Sequence, residues 1–118
     1  MAPRKTNPDF MTGVPELLIL RLLSDREMYG YELVQAIEAA TGEAIKVGEG
    51  VLYPILHALE EQGCLQSRRK PVNGRTRVYY TVTAAGMKRL GALVSEWRRI
   101  TQAVSNIVTG AKHADAIA

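Results

Sequence analysis

Asn73-Gly74 constrains the fold of this chain more than any other pair of residues. Asn and Gly tolerate the positive φ angles of a two-residue type I′ turn, and here they separate two short runs rich in β-branched, aromatic and charged residues. The pair predicts a tight antiparallel hairpin with strands at about residues 64–70 and 76–82. Alternation along the second strand puts Val78, Tyr80 and Val82 on one face and Arg77, Tyr79 and Thr81 on the other, the basic face being the wet one. Five cations, Arg68, Arg69, Lys70, Arg75 and Arg77, flank the turn with no acidic residue among them. An apolar helical stretch, residues 51–61, comes directly before. A helix followed by a basic hairpin is the arrangement of a winged helix-turn-helix, in which the helix enters a DNA groove and the hairpin holds phosphate.

The charge distribution agrees with a polyanion partner. Residues 1–63 carry 5 basic and 10 acidic side chains, whereas residues 64–118 carry 10 basic and 2 acidic, so a formal net charge of +3 conceals an acidic half and a basic half. Concentrated positive charge is what an electrostatic footprint on double-stranded DNA requires. An isolated basic run is more often a solvated face, and it is the turn and the preceding helix that favour nucleic acid here. At 118 residues the chain can bury one modest core, with no room for a second catalytic domain. Cys64 is the single cysteine, so no intramolecular disulfide can form and a reducing cytoplasm is the expected location. Glu16 and Arg21 interrupt the N-terminal apolar stretch, which argues against a signal peptide or a membrane span.

The expected fold is mainly α with a small β-hairpin: a winged helix-turn-helix plus one long C-terminal dimerisation helix. Residues 1–12 read as a flexible arm, 13–82 as the DNA-binding domain, 83–110 as the dimerisation helix and 111–118 as a flexible tail. A first helix is expected from Gly13, with Pro15 in its first turn, to about Ser24. A second runs over about residues 29–41, carrying Leu33, Ile37 and Ala40 on one stripe, with Gly42 just beyond. Residues 44–47 are a candidate short strand. The third helix, about residues 49–62, turns Leu52, Ile55, Leu56 and Leu59 inward and Glu49, Tyr53, His57, Glu60 and Glu61 outward. Pro54 cannot donate to the carbonyl of Gly50, which predicts a weakened or bent start to that helix.

Thr83 is placed to cap the last helix, which extends to about Thr109. Along it Leu90, Leu93, Trp97, Ile100, Val104 and Ile107 follow spacings of 3, 4, 3, 4 and 3, the alternation of a coiled-coil seam. Nearly thirty helical residues extend roughly 40 Å at 1.5 Å per residue, beyond what a small module can cover. A homodimer held by these six residues is the simplest cover, with packing on the chain's own domain as the alternative.

Taken together, Tyr29-Gly30-Tyr31-Glu32-Leu33, Leu52-Tyr53-Pro54, Leu59-Glu60-Glu61-Gln62-Gly63, Gly74-Arg75 and Tyr79-Tyr80, with Thr83 and Gly86, resemble the PadR family of bacterial winged-helix regulators. The motifs span most of the chain from about Val14 to Ile100, in the family's order. Ending after one long helix is similar to the short branch, which dimerises through that helix and usually represses transcription. The resemblance also implies a ligand-responsive pocket at the dimer centre. Two positions depart from the pattern: Gly48 and Val51 stand near where the family often has Ser and Thr, so contacts made by those hydroxyls are not carried over.

Candidate DNA-binding residues are Lys46, Gly48, Gly50, Tyr53, His57, Arg68, Arg69, Lys70, Arg75 and Arg77. The third helix offers almost none of the Arg, Lys, Asn or Gln side chains that read base edges, so affinity is expected to rest on phosphate contacts, led by Arg75 and Arg77. Tyr53 is the leading groove contact, with packing of its ring on the hairpin as the alternative. Gly48 and Gly50 either let backbone amides approach phosphate or serve only the turn. Trp97, mid-seam, would meet its symmetry mate across a two-fold axis. Two indoles could sandwich a small aromatic or cationic effector, with Val94, Ile100 and Glu96 lining the site, or simply pack the interface. Glu96 favours cations there, and Arg98 and Arg99 favour anions.

One cysteine and two distant histidines, His57 and His113, supply neither a catalytic constellation nor a metal site, and no cofactor is expected. Cys64 reads as a buried, inert thiol rather than a redox sensor. The competing functions are a winged helix used for docking another protein, which Glu60 and Glu61 would suit, and a non-specific architectural DNA-binding protein.

Overall fold

The computed structural model of the chain describes the backbone of residues 6–110 and the side chains from Gly13 onward. Along the described residues run α1 (Thr6–Asp25), β1 (Met28–Tyr29), α2 (Gly30–Ala40), α3 (Glu49–Glu61), β2 (Leu65–Val72), β3 (Arg75–Val82) and α4 (Ala84–Val108). Leu33 and Ile37 of α2 and Leu52, Leu56 and Leu59 of α3 recur at three- and four-residue spacing, and that spacing carries each row to one face. These rows bury against Ile19, Leu20 and Leu23 of α1 and against Leu65 and Tyr80 of the sheet, forming one core.

The hairpin closes as its turn residues require. Asn73 has φ 50° and Gly74 φ 77°, and Val72 pairs with Arg75 directly across them. A two-residue turn leaves no unpaired residue at the tip, so the ladder runs two residues further along β2, and one further on β3, than alternation alone indicated. β1 was not anticipated. It pairs Met28 with Tyr80 and Tyr29 with Tyr79, giving a three-stranded antiparallel sheet in the order β1-β3-β2. Two residues are too few to display a period.

Two elements differ from expectation. α1 begins at Thr6 rather than Gly13, so Pro15 lies inside the helix. Proline removes only its own N–H, leaving one carbonyl of the preceding turn without its amide partner while the helix continues upstream. Of the arm assigned to residues 1–12, residues 6–12 are thus helical, and residues 1–5, like the tail from 111, lie outside the described residues. Residues 44–47 form no strand: Gly42 and Glu43 take positive φ, and Thr41 Oγ1 accepts the Ile45 N–H at 3.1 Å while donating to the Ile37 carbonyl at 2.8 Å. Val47 is buried and Lys46 exposed as alternation demands, yet no strand edge lies beside them. α3 runs unbroken through Pro54.

Thr83 does cap α4. Its Oγ1 accepts the Gly86 N–H at 3.1 Å and donates to the Gly63 carbonyl at 2.6 Å, which ties the helix start to the end of α3. Gly86 packs so closely on the backbone carbonyl of Cys64 that a Cβ there would overlap it. Backbone cannot rotate aside as a side chain can, so Gly86→Ala is expected to cost about 2 kcal/mol, within the range for overpacked cores. Thermal unfolding followed by circular dichroism checks this, with a fall in Tm on the order of 10 °C expected.

Beyond Val94 α4 leaves the core. The radius of gyration is 17.1 Å and the longest extent 66 Å. A compact chain of this length would have a radius of about 13.5 Å, so the excess is that of a projecting rod.

Candidate nucleic-acid interface

The β2–β3 register sorts the wing cations by face. Directly paired residues share a face of an antiparallel sheet, so Arg68, Lys70, Arg75, Arg77 and Tyr79 lie on one side, together with Tyr29 of β1. Arg69 lies on the other, alongside Ser67 and the apolar Val78 and Tyr80. Ser67 donates to Glu60 of α3 at 2.6 Å, so this second face is the one turned toward α3.

The first face is less wet than alternation suggested. The guanidinium of Arg77 stacks 4.2 Å from the centroid of the Tyr29 ring, and its Nε is buried with no hydrogen-bond partner among the described residues. Lys70 Nζ sits 4.3 Å from the centroid of the Tyr79 ring, and Tyr29 and Tyr79 meet edge to face at 5.4 Å. Glu27, just before β1, reaches across this layer. Its Oε1 accepts from Arg68 Nε at 3.2 Å, both oxygens accept from Arg68 Nη2 at 3.0 and 3.1 Å, and Oε2 also accepts from Lys70. The hydrogen bond from Lys70, joined by Arg68, holds the Glu27 carboxyl below the usual carboxylate range, with burial opposing it.

The five wing cations therefore divide into three kinds. Arg68 and Lys70 are paired with Glu27; Arg77 is stacked; Arg69 and Arg75 are exposed with no ion pair among the described residues. Of the two cations ranked first from the sequence, Arg75 stands free at the turn and Arg77 is engaged by an aromatic ring.

On α3, Glu49, Gly50, Val51, Pro54, His57 and Glu61 are exposed, and no arginine or lysine lies on the helix. Tyr53, expected to point outward, is half-buried: its ring and hydroxyl lie against Gly30 at the start of α2, where a Cβ would collide with them. The ring thus packs on the start of α2, at the edge of the core that Tyr80 of the hairpin also lines. Burial, and then the charge of Glu49, raise its phenol pKa. Its neighbour His57 lies 6.1 Å away, centroid to centroid. Gly48 caps α3 at φ −76°, and a Cβ at either Gly48 or Gly50 would meet nothing within 4 Å, so neither packing nor backbone conformation calls for glycine there. Lys46 is exposed and lies 3.8 Å from Glu38.

The seam residues of α4 also fall into two groups. Leu90 is buried in the chain's own core, and Leu93 and Val94 pack against it, so the alternative reading holds for this end and Leu90 is not available to a partner. From Trp97 onward the stripe opens: Trp97 is 38% exposed, Val104 52% and Ile107 75%, with Ile100 between them half-buried. Glu96 is paired with Arg99 at 2.6 Å, which lowers the carboxyl's pKa and leaves little net charge beside Trp97. A groove of about 420 Å³ between α1, α3 and α4, walled by Val51, Ile55 and Arg89, does not include Trp97.

Cys64 is buried. Among the described residues no group of three or more His, Cys, Asp or Glu could hold a metal ion, and no helix is long and apolar enough to cross a membrane. His113 lies outside the described residues. Sequence reading placed Tyr79 on the wing but missed Glu27 and Tyr29 as parts of it. The one available signal was the Met28-Tyr29 pair ahead of Gly30.

Comparison with known proteins agrees with this architecture. The chain is 32% identical over 105 residues to Transcriptional regulator Rv3488 of Mycobacterium tuberculosis, covering 89% of this chain and 92% of that protein. Among solved structures it is similar to a transcriptional regulator from Clostridium thermocellum, with a TM-score of 0.76 at 27% identity over 86% of this chain and 99% of that one. A PadR-like transcriptional regulator from Bacillus cereus superposes with a TM-score of 0.74 at 29% identity, covering 86% and 98%. The Transcriptional regulator PadR-like family matches residues 19–92, from the buried face of α1 through the wing into α4. By fold, motif order and this match, the chain belongs to the PadR-like family of DNA-binding transcriptional regulators.

Proposed function

We propose that this regulator is a homodimeric repressor that recognises a palindromic operator and releases it when a small, flat aromatic effector binds near the dimer interface. The observation that carries the reading is the exposed apolar stripe of α4: Trp97, Val104 and Ile107 project beyond the core on one helical face. A contiguous apolar stripe on a projecting helix marks an interaction surface, and a two-fold pairing of the same stripe would set two wings at a fixed separation. Glycine at 48 and 50, required by neither packing nor backbone, supports close approach of a DNA backbone at the start of α3. With no cation on α3, base contacts are few, and Arg69 and Arg75 carry the phosphate contacts.

Band shifts test the DNA-binding half of this reading. The dimer is expected to prefer a palindrome in the DNA upstream of its own reading frame over unrelated duplexes by about a thousand-fold or more at physiological salt. Equal affinity for all duplexes would favour an architectural role, and no shift even at low salt would favour protein docking. The effector half is tested by Trp97 fluorescence. Planar aromatic cations, planar aromatic anions and neutral analogues are titrated in turn, and saturable quenching that is lost in Trp97→Ala is expected for at least one class. The Glu96–Arg99 pair, by cancelling charge beside the ring, predicts weak discrimination between the cationic and anionic forms.

A further inference from the structure

We infer that Glu27 is an intramolecular stand-in for a DNA phosphate, holding Arg68 and Lys70 away from the duplex and so limiting sequence-independent affinity. The inference rests on the DNA-binding reading above and adds to it the residue that sets how many wing cations are free.

The geometry is that of anion recognition. Arg68 presents a fork of donors to one carboxylate at 3.0–3.2 Å, and Lys70 approaches the same group as a point charge, which is how Arg and Lys meet a phosphate. Glu27 lies on the same face of the sheet as its partners, and its side chain is 23% exposed where those of Arg68 and Lys70 are 62% and 33% exposed, so Arg68 stands outermost and Lys70 only slightly above the carboxylate. That is the order in which an approaching polyanion would compete for them.

A purely structural clamp is the weaker explanation. The Arg68 pair is open to water and contributes little to folding, because solvent screens it and the long side chain loses freedom, while the Lys70 pair is partly shielded. The β1–β3 ladder and the Tyr29–Tyr79 contact already join this part of the chain to the wing. In a polyelectrolyte contact, by contrast, each free cation counts fully, because each neutralised phosphate releases condensed counterion. One carboxylate that pairs two cations therefore acts on DNA affinity far more than on the fold. It also acts on every duplex alike, since phosphates carry no sequence, so removing it raises operator and non-specific affinity by about the same factor.

Binding of the full-length protein to a duplex of unrelated sequence, measured by fluorescence anisotropy across a salt series, tests the inference. Glu27→Gln and Glu27→Ala are both expected to bind more tightly than wild type, with log K falling more steeply against log salt by about 0.9 for each cation released. Arg68→Ala in the wild-type background is expected to leave the slope unchanged, and in the Glu27→Gln background to remove part of the added slope. Two results overturn the inference: an unchanged or flatter slope in both Glu27 variants with native circular dichroism, or a slope flattened by Arg68→Ala alone. The second remains decisive should the Glu27 variants fail to fold. Wild type that binds no duplex at low salt would instead remove the DNA-binding reading itself, so the two failures are distinguishable.

Discussion

Replacing Val104 and Ile107 together by aspartate is expected to convert the protein from dimer to monomer and to weaken operator binding by at least about a hundred-fold, near 3 kcal/mol. Val104 is 52% exposed and Ile107 75%, so neither side chain supports the core of its own chain, and the winged domain should keep its Tm. In the paired state the four carboxylates of two chains would be brought together in a desolvated seam, where unpaired charge is far more costly than the lost apolar contact. The loss on DNA follows from geometry: a monomer holds one half-site, and the second is no longer tethered at high effective concentration. Sedimentation velocity supplies the mass, and anisotropy on the operator the affinity. Gln102→Asp, elsewhere on the same helix and already hydrogen-bonded to Asn106, is the control and should leave both unchanged. A double variant that sediments as wild type would remove the stripe from the interface.

What the sequence disclosed and what it withheld divide by range. Asn73-Gly74 dictated its own φ angles and hence the hairpin, because a type I′ turn is a property of two residues. Leu52, Leu56 and Leu59 announced a buried face because helical periodicity is also local. Glu27, in contrast, meets Arg68 across 41 residues of chain, through a strand of only two residues, and nothing periodic marks either end of that contact. Counting cations from the sequence therefore overstated the free charge of the wing. The same limit applied to α4. A 3-4 repeat states that a stripe will be covered and is silent about what covers it; the chain's own core covers Leu90 and leaves Ile107 open. Tyr53 illustrates a third case, a side chain expected outward whose ring is accommodated only because position 30 lacks a Cβ.

These differences change which residues the DNA contact depends on. Had all five wing cations been free, removing any one would be partly buffered by the rest. With Arg68 and Lys70 paired and Arg77 stacked, the unpaired charge of the wing among the described residues falls to two, one on each face of the hairpin: Arg75 at the turn and Arg69 three ladder pairs back. Charge on both faces suits a wing that follows a groove and reaches the phosphates of both bordering strands. It also makes the contact sensitive to small changes in sequence.

Arg69→Ala combined with Arg75→Ala is accordingly expected to remove most of the electrostatic component of binding. Two lost phosphate contacts per chain, four in the dimer, would flatten the dependence of log K on log salt by about 3.6, at 0.9 per contact. At about 0.1 M salt the same four contacts correspond to roughly 3.6 decades of affinity, because each contributes about 0.9 decade between 0.1 M and the 1 M reference. The loss should be nearly equal for operator and unrelated duplex, since these side chains meet phosphate and not base edges. Stability is not expected to change, as both residues are exposed and unpaired among the described residues. Arg77→Ala separates charge from support: losing the stack on Tyr29 should loosen the β1–β3 junction, lowering Tm, while changing the salt slope less than Arg75→Ala does. A salt slope left intact by the Arg69, Arg75 pair would mean that phosphate is held elsewhere, with Lys46 and the amides at Gly48 and Gly50 as the remaining donors on the α3 side.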